Sequence, residues 1–131
     1  MVRVLVDTSV WIEFFRKRDP YYSIVSRLID EGQVCCAGII LAELMQGART
    51  EKELAVLGDF PQVFTFIPET LQLWADAGRL SFQLRRKGLT IGLSDCFIAV
   101  AAASVRAPVA TLDSHFEVLC KPAKITLFDL T

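Results

Sequence analysis

Short apolar runs at residues 4–6, 34–39, 63–67 and 109–112 alternate with longer stretches of helical period. The first, Val4-Leu5-Val6, shows no polar alternation, which suits a strand covered on both faces of a parallel sheet. Helical spacing follows over 10–15 and stops near Arg16 to Pro20, where proline blocks continuation. Tyr22, Val25, Leu28 and Ile29 mark a second helix up to the Glu31-Gly32 stop. The run at 34–39 reads as a buried strand, and 40–47 turns helical. A further helix is predicted over 51–60 with Leu54 and Leu57 inward, then Pro61, then a short strand at 63–67 ending at Pro68. Residues 70–86 form a long helix whose stripe is Leu73, Ala77, Leu80 and Leu84, with Trp74 beside it. A nearly uncharged, alanine-rich helix starts near Asp95 and must pack centrally. The run at 109–112 is a brief strand after Pro108, and 125–130 is predicted as a final edge strand. Strands alternating with helices place the chain in the α/β class.

With 131 residues and 53% hydrophobic content, the whole of 1–131 reads as a single domain with an ample core. No apolar run is both long and uncharged enough for a bilayer, and the N-terminus lacks an export signature, so no membrane association and a cytoplasmic location are expected. Cys35, Cys36, Cys96 and Cys120 fit neither a zinc pattern nor a secreted disulfide framework. They are read as reduced core or near-core thiols, with Cys120 the least enclosed.

The formal net charge of −1 exerts no general pull on nucleic acid, but its distribution is uneven. Residues 1–78 carry a net −4 and residues 79–131 a net +3. An acidic pocket beside a basic surface is what a metal-dependent enzyme acting on a polyanion needs, although an ordinary solvated surface gives the same tally. Arg79, Arg85, Arg86 and Lys87 are open to the same two accounts: phosphate contacts, or cations placed favourably near a helix C-terminus.

The chemistry lies where apolar runs meet acids. Asp7 follows the first strand, the edge where open α/β sheets bind ligands, though an aspartate there also serves as a helix cap. Thr8 or Ser9 can cap the helix that follows. Glu43 lies in an otherwise apolar helix, Asp95 opens the alanine-rich helix with Ser94 as its candidate cap, and Asp113 repeats the arrangement of Asp7 after the strand at 109–112. Parallel strands let all four acids converge at one end of the sheet. Such a cluster repels itself without a cation. An all-oxygen donor set suits Mg²⁺ or Mn²⁺ rather than zinc, and those ions support phosphodiester hydrolysis. A phosphatase with an aspartyl nucleophile also places an acid after its first strand, but needs a second aspartate where this chain has Ser9.

At these positions the chain resembles PIN-domain ribonucleases of the VapC toxin type. The matching pieces are Val6-Asp7-Thr8-Ser9-Val10-Trp11-Ile12, Leu41-Ala42-Glu43-Leu44 with Gly47, Ser94-Asp95-Cys96-Phe97-Ile98-Ala99, and Ala110-Thr111-Leu112-Asp113-Ser114-His115-Phe116. The resemblance implies a three-layer α/β/α domain with a central, mostly parallel sheet. It implies catalytic and metal-ligating roles for Asp7, Glu43, Asp95 and Asp113, with Ser9 and Thr111 as supporting hydroxyls. The implied activity is that of a toxin endoribonuclease using Mg²⁺ or Mn²⁺, in which water attacks RNA and leaves a 5′-phosphate and a 3′-hydroxyl. The implied partners are the RNA substrate, a cognate VapB-type antitoxin and a second copy of the chain in a homodimer. The alternative is a non-catalytic PIN-like module that binds RNA or protein. Ile40 stands where the family often has a threonine, and Cys96 where it has alanine.

The remaining conspicuous residues have plainer explanations. His115 is attributed to a turn whose packing Phe116 explains, with phosphate contact as its alternative. Trp11, Phe14 and Phe15 are read as core or dimer interface rather than stacking platforms. Glu13 and Asp129 are read as solvated, and Glu117 stays a weak candidate beside Asp113.

Overall fold

The computed structural model describes residues 2–131. Its centre is a parallel sheet of β1 (Val4–Val6), β2 (Val34–Cys36), β3 (Thr65–Phe66) and β4 (Val109–Ala110), in the order β3-β2-β1-β4. Val4 pairs with Val34 and Leu5 with Cys35 on one side of β1, while Leu5 pairs with Val109 and Val6 with Ala110 on the other. Every residue of β1, β2 and β4 is buried, which is why these runs lack alternation.

Among the described residues, eight helices complete the three-layer α/β/α arrangement. Helix α1 (Thr8–Phe15) packs on α2 (Tyr21–Asp30) and on α3 (Gly38–Gln46), which in turn meets α4 (Glu51–Gly58). The short α5 (Phe60–Val63) leads into β3. Helix α7 (Leu93–Ser104) lies against both α6 (Leu71–Arg86) and α8 (His115–Ala123). Its alanines are the reason: Ala99, Ala101 and Ala102 are all buried, and small side chains let neighbours approach on several faces. The indole of Trp74 stacks on Phe97 across α6 and α7, with ring centroids 3.7 Å apart. Gly32, which closes the turn after α2, has φ +67°, a conformation that glycine adopts without a Cβ penalty.

Several expected boundaries move. The strand at 34–39 ends at Cys36, and Gly38 and Ile39 already belong to α3. Gly38 donates its N–H to Glu69 Oε2, which satisfies one orphan donor of that helix start. The strand at 63–67 contracts to Thr65–Phe66 because Val63 ends α5. Leu57 points inward as expected, but Leu54 is 38% exposed. The edge strand at 125–130 reduces to one parallel bridge between Val109 and Leu127, supported by Val109 N–H donating to Thr126 and Phe128 N–H to Val109. Helix α8 was not anticipated, although Phe116, Leu119, Cys120 and Ala123 recur at helical spacing.

Candidate active site

The backbone of Asp7 occupies the N-cap position of α1, yet its carboxylate caps nothing. Its carbonyl accepts the N–H groups of Val10 and Trp11, and its own N–H donates to Ala110, which extends the β1–β4 pairing to the sheet edge. That pairing brings Thr111 alongside. Asp7 Oδ2 accepts hydrogen bonds from Ser9 Oγ and from Thr111 Oγ1, both at 2.9 Å. Asp7 is 5% exposed, the one charged residue among the described residues that is buried. Burying a carboxylate without a full-charge partner is costly, and two hydroxyl donors offset part of that cost.

Neither hydroxyl after Asp7 serves as a helix cap. Ser9 is turned back onto Asp7 and also accepts the N–H of Leu112, which ties α1 to the loop after β4. Thr8 Oγ1 donates to Glu43 Oε1 at 3.0 Å across the α1–α3 contact. Nothing in the local sequence singled out Thr8 for this contact, because its partner lies 35 positions away. Burial pushes the Glu43 carboxyl above its ordinary range; the Thr8 hydrogen bond opposes the shift, and the charges of Asp7 and Asp95 add to it.

Asp95 sits in the first turn of α7, whose cap position is Gly92, so the expected cap Ser94 is already inside the helix. Burial raises the Asp95 carboxyl as well. Its hydrogen bond to His115 opposes that shift, while Asp113 and Asp7 repel its charge. Asp113 lies in the loop after β4, where Thr111 Oγ1 accepts its N–H and its own Oδ1 accepts the N–H of His115 at 2.9 Å. The imidazole that the sequence assigned to a turn instead bridges two acids: His115 Nδ1 is 3.3 Å from Asp95 Oδ2 and 3.6 Å from Asp113 Oδ1.

Among the described residues, Asp95, Asp113 and His115 each offer a ligand atom, all within 4.8 Å of one another. Asp7 and Glu43 stand outside that set and are joined to it by charge, Asp7 acting on both Glu43 and Asp95. Two acids of this group are held above their ordinary range by burial and mutual repulsion, which is the condition a divalent cation relieves. Carboxylate oxygens with one imidazole beside them make a donor set that suits a divalent cation. Of the basic residues 79, 85, 86 and 87, Arg79 pairs with Asp76, Arg86 lies over the Phe82 ring, and Arg85 and Arg86 occupy the last turn of α6.

Fold and site together define an α/β protein with an acidic centre at the carboxyl edge of a parallel sheet. Residues 4–122 match the PIN domain model, and the chain belongs to the PIN domain family. Its relatives are VapC ribonucleases. It is 30% identical to Ribonuclease VapC1 of Methanocaldococcus jannaschii, over 88% of this chain and 79% of that one. It is 29% identical to Ribonuclease VapC11 of Mycobacterium tuberculosis, over 90% and 92% of the two chains. Among solved structures, a chain of the DNA-bound VapBC complex of Salmonella typhimurium superposes with a TM-score of 0.79 at 27% identity, covering both chains fully.

Proposed function

We propose that residues 1–131 form one PIN domain that acts as a divalent-metal-dependent endoribonuclease, a toxin restrained by a cognate VapB-type antitoxin. The observation that carries this reading is the cluster of Asp95, Asp113 and His115, whose ligand atoms lie within 4.8 Å of one another, with Thr111 Oγ1 joining Asp113 to the buried Asp7. The VapC relatives and the VapBC complexes support the activity and the partner.

Asp7, Glu43, Asp95 and Asp113 would hold Mg²⁺ or Mn²⁺. When bound, the ion supplies an activated water and neutralises charge on the phosphodiester. The chain's own residues do the rest. Ser9 and Thr111 fix Asp7 Oδ2 and leave Oδ1 for a ligand, and Thr8 orients Glu43 in the same way. His115 holds Asp95 and Asp113 at a set spacing. Water adds at phosphorus and the bond to the 3′ oxygen breaks, leaving a 5′-phosphate and a 3′-hydroxyl without any covalent enzyme intermediate. A homodimer is the assembly proposed, to be checked by light scattering of the purified chain.

The test is cleavage of total cellular RNA by antitoxin-free protein with Mg²⁺ or Mn²⁺, against chelator, Asp7→Asn and Asp95→Asn, with cut ends mapped by sequencing. Discrete metal-dependent cuts that both substitutions abolish are the expected result. Folded, inhibitor-free protein that binds RNA but never cuts it would instead identify a binding module.

A further inference from the structure

A cleft of about 380 Å³ opens beside the acidic centre, between α1, α3 and α4. Thr8 and Glu43 belong to its wall, so whatever lies in it is continuous with whatever lies at the carboxylates. The rest of its lining joins an apolar floor, including Leu44 and Leu57, to three cations, Arg16, Arg49 and Lys52. All three cations are exposed, and none forms an ion pair among the described residues. The one other acid in the wall, Glu53, is engaged in accepting the N–H of Arg49 at 2.7 Å. Phe15, also in the lining, is 43% exposed, and its ring stacks on Trp11 and Phe60.

A partly exposed aromatic ring held by its neighbours, an apolar floor and unpaired cations are the parts of a single-stranded nucleic-acid groove, in which bases stack and phosphates are neutralised. The volume lies within the roughly 300–1,000 Å³ of small-ligand sites, enough for a short segment rather than a duplex. We propose that this cleft is the subsite for the single-stranded RNA segment adjoining the scissile phosphate, with Arg16, Arg49 and Lys52 as phosphate contacts and Phe15 as a base-stacking face. The assignment rests on the ribonuclease reading above. It favours RNA over a protein segment because three unpaired cations against an acidic centre ask for a ligand that is anionic along its length and can also reach that centre. Arg16, Arg49 and Lys52 are thus substrate-positioning residues.

The experiment is fluorescence anisotropy of a labelled 12-nucleotide single-stranded RNA of mixed sequence, with Ca²⁺ as the divalent ion and KCl varied, beside a cleavage assay in Mn²⁺. Arg49→Gln with Lys52→Gln is expected to weaken binding about tenfold or more and to flatten the plot of log K against log salt by roughly 0.7 for each lost phosphate contact. Phe15→Leu is expected to weaken binding several-fold at unchanged slope, with its melting temperature measured alongside. Arg85→Gln with Arg86→Gln, which removes cations outside the cleft, is expected to leave affinity and slope near wild type. Unchanged RNA affinity in the Arg49/Lys52 variant while the wild type binds and cuts RNA overturns the subsite alone and assigns the cleft to a protein segment. Equal losses in the Arg85/Arg86 variant also overturn it, as non-specific charge attraction. A wild type that neither binds nor cuts RNA overturns the ribonuclease reading and the subsite with it.

Discussion

Thr111 Oγ1 donates a hydrogen bond to Asp7 Oδ2 at 2.9 Å, joining residues 104 positions apart in the chain. The contact exists because β1 and β4 are parallel neighbours, with Val6 opposite Ala110, so that the residues just beyond the two strand ends meet at the same edge. The same Thr111 oxygen accepts the N–H of Asp113, and one hydroxyl therefore sets the positions of two acids.

Thr111→Val keeps the shape and removes both interactions. A hydrogen bond to a charged group contributes about 1.5–3 kcal/mol, so a loss of about tenfold or more in kcat/KM is expected. A positioning role also requires that Mn²⁺ affinity, read by calorimetry, fall with it. Unchanged metal affinity and unchanged cleavage would show that Ser9 alone holds Asp7.

The acidic centre costs stability when it is empty and ionised. Asp95→Asn removes one repelling charge and is expected to raise the melting temperature of chelator-treated protein by a few degrees, a common outcome where residues serve function over folding. Saturating Mn²⁺ is expected to raise that of the wild type by several degrees, and to do so much less for the variant. Equal metal-induced shifts in both proteins would place the ion elsewhere.

The pH dependence of stability follows from the raised carboxyls. Glu43 and Asp95 sit above their ordinary values of 4.5 and 3.8, burial being the largest cause. The folded state thus holds these protons more tightly than the unfolded chain, and their contribution is fully present at low pH and lost as pH rises through the folded-state values. In chelator, wild-type stability relative to Glu43→Gln with Asp95→Asn is expected to increase as pH falls from about 7 toward 4. Urea denaturation midpoints of the two proteins across that range provide the check, and parallel midpoints would contradict it.

The four thiols differ in reach. Burial pushes Cys35 up to about 11 and Cys36 up to about 12, and raises Cys96 as well. Near pH 8 the folded protein is expected to react with iodoacetamide chiefly at Cys120, the only thiol of the four that is not fully buried, as mass spectrometry of labelled peptides reads directly. Because the unfolded thiols ionise from about 9.0, their stabilising effect is lost as pH rises from there through 11 to 12, so denaturation midpoints should fall over that window.

Much of the fold was legible because its signals are local. A three-residue apolar run followed by an acid marks β1 and Asp7 within a handful of positions, and the alanines of α7 announce a helix packed on several sides. Boundaries were less legible: Gly38 and Ile39 continue an apolar run yet belong to α3, because the backbone turns at Ala37 and the N–H of Gly38 finds Glu69, 31 positions on. Helix α8 carries the helical spacing of Phe116, Leu119, Cys120 and Ala123, but its apolar positions follow directly on the turn at 113–114, which masks its start.

The sequence by itself determined which segments could be buried and that Asp7, Asp95 and Asp113 fall near the ends of strands and helices, whereas Glu43 lies in the middle of α3. Only the tertiary structure decided the pairings among them. Thr8 was set against Glu43, Thr111 on the same oxygen of Asp7 that Ser9 reaches, and His115 beside Asp95. The physical reason is separation along the chain. Hydrophobic periodicity reports which face of an element turns inward, whereas a hydrogen bond or a charge pair between residues 20 to 104 positions apart depends on strand order and helix packing, which no local pattern encodes.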